Sequence, residues 1–324
     1  MQTLNGLQYL AVDISNCVGL DKESWDTRIQ WVKDNLDKLE ELVPSDPKTK
    51  YLYIKAVKAL RDTQAGLPTG HMCALDASCS GVQLMAVLGK CATSAKTCNL
   101  IFTGNREDTY TQIMQHIQGV NISRQDVKEA TIPCLYGSKA APRELFGEDT
   151  KELKAFNKAI QETIPVLADM KGLCDHFWNP EAEYHRWTMP DGHEVIIPSE
   201  VMKSMRVEIA GTSFTYQYRV VEPHANPTQL LSAIVHSTDA YVAREMVRRA
   251  HTQGFQLVHI HDEFRFSPVY GNQVRQNYLD ILREIAASDL LEDILSQISN
   301  SEVKLEFSDP DLADLMADAE YALS

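Results

Sequence analysis

The chain has 324 residues, 44% of them hydrophobic, enough to bury one large core or two smaller ones. Its formal net charge of −14 argues against a broad basic nucleic-acid-binding face, though not against a local basic groove. Seven cysteines with no Cys-x-x-Cys pair disfavour a disulfide framework and a structural zinc, and no apolar run approaches membrane-spanning length. Met1-Gln2-Thr3-Leu4-Asn5 shows no basic or apolar leader, so a soluble cytoplasmic protein with no membrane partner is expected.

Residues 9–43 carry Asp13-Ile14-Ser15-Asn16-Cys17 and continue into a helix from about Ser24, with Trp25, Ile29, Val32, Leu36 and Leu39 on one apolar stripe. Pro44 to Lys50 reads as a polar connector, Tyr51 to Gln64 as a second helix, and Gly66 to Gly70 as a loop. Met72, Ala74 and Leu75 then predict a strand that ends at Asp76. A tight turn follows, and Val82, Met85 and Leu88 give the spacing of a helix that stops at Gly89-Lys90. Ser78 or Ser80 is the expected cap. A carboxylate displayed at the C-terminal tip of a strand is well placed to hold a metal ion.

Leu100-Ile101-Phe102 is a short apolar run, Gly104 to Asp108 a loop, and Thr109 to Ile117 a helix. In the next segment Arg124, Lys128, Ile132 and Tyr136 recur every four residues, steps of about 400° that drift slowly along one helix face. Two cations and an aromatic ring therefore line one side, ending at Gly137. Polyphosphate binding needs that arrangement, with fixed positive charge for the phosphates and a ring near the sugar and base. Pro133 predicts a kink just before Tyr136.

Glu148 to Met170 reads as largely helical with a kink at Pro165, and Trp187 to Ile197 as a hairpin turning on Pro190-Asp191-Gly192. Phe214, Tyr216, Tyr218 and Val220 alternate along a further strand whose aromatic face is expected to pack on a sheet. A helix spans Gln229 to His251 and includes His236. Gln256 to Phe264 is a strand ending in His261-Asp262-Glu263, and Asp309 to Ser324 is acidic and helical with a small apolar end.

Three stretches, in this order, carry a family resemblance. Asp76-Ala77-Ser78-Cys79-Ser80-Gly81-Val82-Gln83 resembles motif A of the single-subunit, T7-like phage RNA polymerases. Arg124-x3-Lys128-x7-Tyr136-Gly137 resembles motif B of those enzymes and of family A DNA polymerases, and His261-Asp262 resembles motif C. Asn16 to Lys22 with its following helix, and the acidic C-terminal segment, resemble the flanking parts of the phage enzymes. The latter implies that the natural C-terminus is included.

The resemblance implies an α+β fold, a right-hand palm and fingers with an antiparallel palm sheet. The palm would comprise residues 1–105 and 229–324, and the fingers 106–228. Thumb, N-terminal domain and the Thr-x-x-Gly-Arg element have no counterpart. The implied activity is two-metal nucleotidyl transfer from NTPs to an RNA 3′-hydroxyl on a DNA template. Two Mg²⁺ ions about 4 Å apart would be held by Asp76, Asp262 and the Ala77 carbonyl. Arg124 and Lys128 would bind triphosphate, Tyr136 and Gly137 would lie at the nucleotide, and His236 and His261 near the new base pair. Gly81 stands where family A DNA polymerases carry a ribose-excluding Glu, which favours NTPs, although Glu263 after Asp262 is DNA-polymerase-like.

Some N4-like phages split such a polymerase in two. The chain resembles the larger, catalytic subunit, which implies a partner carrying the N-terminal and thumb-like parts and the cytoplasm of an infected bacterium as location. DNA template and nascent RNA are implied partners, and a single-strand DNA-binding factor is a further candidate. A family A-like DNA polymerase fragment and a non-catalytic scaffold derived from a polymerase are the alternative readings.

Overall fold

The computed structural model describes residues 1–324. Helix α1 (Gly6–Cys17) opens at a capping box, Asn5 accepting from the Gln8 amide while the Gln8 side chain accepts from the Asn5 amide. Periodicity does not announce this helix, because Tyr9, Leu10, Ala11, Val12, Ile14 and Ser15 bury nearly its whole circumference against later elements. Helix α2 (Trp25–Asp34) starts at the Ser24 cap and is shorter than its stripe suggests. A 3-10 turn, Leu36–Glu41, delivers Leu39 to the core instead. Helix α3 (Pro47–Gln64) begins four residues before the expected Tyr51, since Asp46 caps it and a proline at the first position forfeits no helical bond.

Strand β1 (Cys73–Asp76) leads through Ala77-Ser78-Cys79 into α4 (Ser80–Leu88). Neither serine caps that helix. Cys79 takes the cap position in the left-handed region (φ 64°, ψ 63°), and the Ser78 hydroxyl donates to the Tyr321 carbonyl at 2.7 Å. Then come α5 (Ala92–Thr97), α6 (Thr109–His116), capped by Asp108, and α7 (Arg124–Leu135), which opens at a Ser123/Asp126 capping box. Pro133 accompanies termination rather than a kink. Tyr136 leaves the helix (φ −96°, ψ 19°), Gly137 takes φ 89°, and the Tyr136 and Ser138 amides both donate to the Pro133 carbonyl.

Helices α8 (Ala140–Phe146), α9 (Lys151–Thr163) and α10 (Val166–Phe177) follow. The single kinked helix expected through Pro165 is thus two helices with a full break at Ile164-Pro165. Strands β2 (Tyr184–Thr188) and β3 (Glu194–Pro198) form the Pro-Asp-Gly hairpin. Strands β4 (Glu200–Ile209) and β5 (Thr212–Val221) form a long two-stranded ribbon. Its aromatic face does not pack on a sheet: Phe214 and Tyr216 remain 48% and 42% exposed, because no third element covers them.

Helix α11 (Thr228–Thr252) precedes β6 (Leu257–Ile260) and β7 (Glu263–Phe266), then α12 (Gly271–Ala287), α13 (Leu290–Ser299) and the short α14 (Leu312–Leu315). The expected single strand through Asp262 is therefore a hairpin. Strands β1, β7 and β6 form one antiparallel sheet in the order β1-β7-β6, so the chain is α+β with small antiparallel sheets among packed helices. Helices α4, α11 and α12 pack on one another beneath it. The C-terminal helix is only one turn long. Beyond it the chain runs through turns and bends, and Leu323 bridges to Ala77.

One buried polar cluster ties the chain's two ends to α12. The Arg275 guanidinium, 1% exposed, pairs with Glu320 at 2.5 Å and donates to the Gln2 carbonyl, and Trp25 Nε1 donates to the same carboxylate. Arg28 and Arg275 both lie over the Trp25 ring, at 4.4 and 4.6 Å from its centroid.

Candidate active site

Strand register brings the two predicted acids together. Asp76 is opposite Glu263 in the β1–β7 ladder, and Asp262 occupies the two-residue turn that joins β6 to β7. The Ala77 amide bridges them, donating to the Asp262 carbonyl at 3.3 Å and to Asp76 Oδ1 at 3.1 Å. The C-terminal segment holds the other side of this turn. The Ser324 amide donates to the Asp76 carbonyl at 2.9 Å, and the Ser78 amide to the Ala322 carbonyl at 3.1 Å. The Ala77 carbonyl accepts from the Cys79 amide and keeps one lone pair.

No lysine or arginine forms an ion pair with Asp76, Asp239 or Asp262, whereas Glu263 pairs with Arg265 at 2.7 Å. Surrounding protein, then the charges of Asp262 and Glu263, push the Asp76 carboxyl up to about 6. Asp239, one turn beyond His236 on α11, is also raised, by burial and then by Asp262. Neighbouring carboxylates with no cationic partner, beside a backbone carbonyl that keeps one lone pair, suit a hard divalent ion, and magnesium fits that chemistry.

Asp76, Ala77, Asp262 and Glu263 floor a cavity of about 510 Å³, and Asp239 lies behind it. Its walls include Gly81, Arg106, Tyr110, Lys128 and Tyr136. Lys128 is exposed and makes no ion pair; its Nζ lies 6.0 Å from the Tyr110 ring centroid. Arg124 stands behind the cavity wall, against Asp108 and Tyr110, which line it. Its guanidinium forms a two-bond pair with Asp108, both bonds at 2.8 Å, and does not line the cavity. Of the two cations on that helix face, the structure therefore leaves one free at the cavity.

Tyr136 and the exposed His236 stack nearly parallel, with centroids 4.7 Å apart and planes 4° apart. Tyr136 also lines a second, more open cavity with His236. A Cβ on Gly81 would come within 3.3 Å of Tyr136 Oη, so the glycine allows the ring to sit where it does. Gly137, at φ 89°, would place a Cβ 2.9 Å from Thr228 Cγ2, and so joins the end of α7 closely to the start of α11. His261 has φ 54° in the hairpin turn, a conformation usually left to glycine or asparagine, and its side chain is exposed.

The residue-by-residue reading missed Asp239, Tyr110 and Arg106. Only Asp239 carries a signal, its one-turn spacing from His236. Tyr110 and Arg106 reach the cavity through packing of α6 and its preceding loop.

Residues 2–137 match the family model described as DNA-dependent RNA polymerase. That segment includes Asp76, Gly81, Arg124, Lys128, Tyr136 and Gly137, while His236 and Asp262 lie outside it. The chain is 20% identical to DNA-directed RNA polymerase 3, chloroplastic, of Nicotiana sylvestris, over 94% of this chain and 37% of the relative. It is 21% identical to DNA-directed RNA polymerase 2, chloroplastic/mitochondrial, of Arabidopsis thaliana, over 94% of this chain and 36% of the relative. The chain thus spans little more than a third of the length of these relatives, and its similarity is to DNA-directed RNA polymerases.

Proposed function

We propose that the chain is the catalytic part of a phage-type DNA-directed RNA polymerase. Residues 1–105 and 229–324 form its palm and 106–228 its fingers. The observation that carries this reading is the pairing of β1 with the β6–β7 hairpin. It sets Asp76 and Asp262 side by side, with no cationic partner, at the floor of a cavity walled by Lys128 and Tyr136. The sequence match over residues 2–137 gives it independent support.

The reaction joins an RNA 3′-hydroxyl oxygen to the α-phosphorus of an NTP, breaking the bond to pyrophosphate, while the hydroxyl proton leaves to solvent. Asp76, Asp262 and the Ala77 carbonyl would hold two magnesium ions, which when bound supply positive charge to the attacking oxygen and the departing pyrophosphate. Lys128 attracts the triphosphate. Tyr136, backed by the His236 ring, forms the flat wall against which base and ribose settle. Gly81 lets the Tyr136 hydroxyl sit close and puts no side chain in the way of a ribose 2′-oxygen.

Arg124 serves indirectly in this reading, fixing α7 to the Asp108 cap of α6 so that Lys128 faces the cavity. A second subunit would supply the promoter-binding and thumb-like parts. It would also supply the basic surface that a chain of net charge −14 lacks for DNA and nascent RNA. A phage origin, action in the host cytoplasm and help from a single-strand DNA-binding factor complete the proposal.

The test is extension of an RNA primer on a DNA template with Mg²⁺, comparing NTPs with dNTPs, using the chain alone and as purified with whatever binds it in its native source. Expected is NTP incorporation that Asp76→Asn and Asp262→Asn each abolish. Preference for dNTPs would move the chain to the DNA polymerases, and processive extension by the chain alone would remove the second subunit. A native complex with no incorporation would leave the scaffold reading standing.

A further inference from the structure

We propose that Asp13, His71 and Cys73 form a binding site for one zinc-type divalent cation, separate from the carboxylates of the cavity floor. One oxygen, one imidazole nitrogen and one sulfur from these side chains lie within 4.8 Å of one another. Asp13 comes from α1, and His71 and Cys73 come from the extended run that becomes β1, two positions apart. Asp13 Oδ2 meets His71 Nε2 at 2.7 Å, and Asp13 Oδ1 accepts from the Ala74 amide at 3.2 Å.

The cluster is well shielded. Cys73 is 1% exposed, and the side chains of His71 and Asp13 are 8% and 14% exposed. Asp13 and His71 border the main cavity, and so does Cys17, one helical turn beyond Asp13 on α1. A tetrahedral cation therefore has three protein ligands at hand, with its fourth position open to water from the cavity.

Donor chemistry separates this site from the Asp76–Asp262 floor. Thiolate and imidazole select zinc and its neighbours, whereas carboxylate and carbonyl oxygens suit magnesium. A bare Asp–His ion pair would account for the 2.7 Å contact but gives no role to the third donor converging on it. The site escapes sequence reading because its ligands follow no Cys-x-x-Cys spacing. They are a lone Asp on a helix and His-x-Cys on the extended run into β1, which reaches that helix only in the fold. Its consequence is mechanical. A cation here clamps α1 to the start of the strand whose far end displays Asp76.

The test uses the full chain, stripped with chelator and titrated with Co²⁺ and then Zn²⁺. Expected is one equivalent of tightly bound Co²⁺ with a cysteinate-to-metal charge-transfer band and the visible bands of a tetrahedral site, both lost on adding Zn²⁺. Zinc should also raise the thermal unfolding midpoint. Cys73→Ala should lose the charge-transfer band. His71→Gln keeps a hydrogen bond to Asp13, so with an unchanged circular dichroism spectrum it should still bind cobalt at least about tenfold more weakly. Asp262→Asn should leave the cobalt spectrum intact, which separates this site from the polymerase reading whatever the extension assay returns. Absence of a thiolate band in the folded wild type would overturn the proposal. So would a band that persists in Cys73→Ala, undiminished binding in His71→Gln, or loss of the cobalt spectrum in Asp262→Asn.

Discussion

Asp76→Asn is expected to make the metal-free chain more stable at neutral pH, although it removes the residue on which the proposed chemistry depends. Asp76 has an ordinary value of 3.8 and is held at about 6 in the folded chain, by surrounding protein and then by Asp262 and Glu263. The folded chain therefore keeps a proton that the unfolded chain gives up between these values. Stability falls as pH rises through that window, and the whole penalty is present above it. Taken at face value the difference is about 3 kcal/mol, at 1.36 kcal/mol for each tenfold change in proton affinity. The side chain opens to solvent, which screens the repulsion, so about 1 kcal/mol is the working figure. Asparagine keeps an oxygen to accept the Ala77 amide, so the substitution removes charge and little else. Urea unfolding of both proteins in EDTA at pH 8 and pH 4 measures the effect. The variant should be the more stable at pH 8, and at pH 4 the gap should shrink to less than half of that. Magnesium at pH 8 should stabilise the wild type more than the variant. A variant equal to or weaker than wild type at pH 8, or a gap that does not change with pH, would refute the idea that uncompensated carboxylate charge is stored at this turn.

Glu320→Ala strands the Arg275 guanidinium, buried and pressed against Trp25, and should cost about 3 kcal/mol in urea unfolding; a loss below about 1 kcal/mol would show that the Trp25 ring and the backbone carbonyls hold Arg275 without the carboxylate. Gly81→Glu fills the space beside Tyr136 Oη and should lower NTP incorporation relative to dNTP by roughly tenfold or more, read as a ratio of kcat/KM values. In the β4–β5 ribbon, Ala210 takes φ 51° just before Gly211. Ala210→Asn suits that turn better and should slow amide exchange in the ribbon by about fivefold, roughly 1 kcal/mol, with no change in the rest of the sheet.

How much of this was readable in advance depends on how far apart the interacting residues lie. The turn from β1 into α4 was legible because an apolar run, an acid, small residues and a helical period follow one another within a few positions. The β2–β3 hairpin was legible because Pro-Asp-Gly marks its turn. The β6–β7 hairpin was not, since His261 stands where such a turn favours glycine and no local signal splits the run at Asp262. Arg124 shows the same limit at the site itself. Its spacing from Lys128 is a property of one helix, but its engagement by Asp108 is decided by α6 packing beside α7, and that pairing neutralises one of the two expected cations.

The C-terminal segment was expected to be helical from its composition. Only Leu312–Leu315 is helical, and the last residues turn back because the exposed edge of the turn between β1 and α4 offers unpaired amide and carbonyl groups, which residues 322–324 satisfy. The placement of Asp76 beside Asp262 has the same origin. Strand β1 is only four residues long and needs a ladder partner, β7 supplies it, and the register Asp76↔Glu263 then leaves Asp262 in the turn directly beyond. The chemistry proposed for the pair is thus set by strand register. A slip of one residue in β1–β7 would turn Asp76 to the opposite face of the sheet, away from the cavity, while leaving every motif in the sequence unchanged.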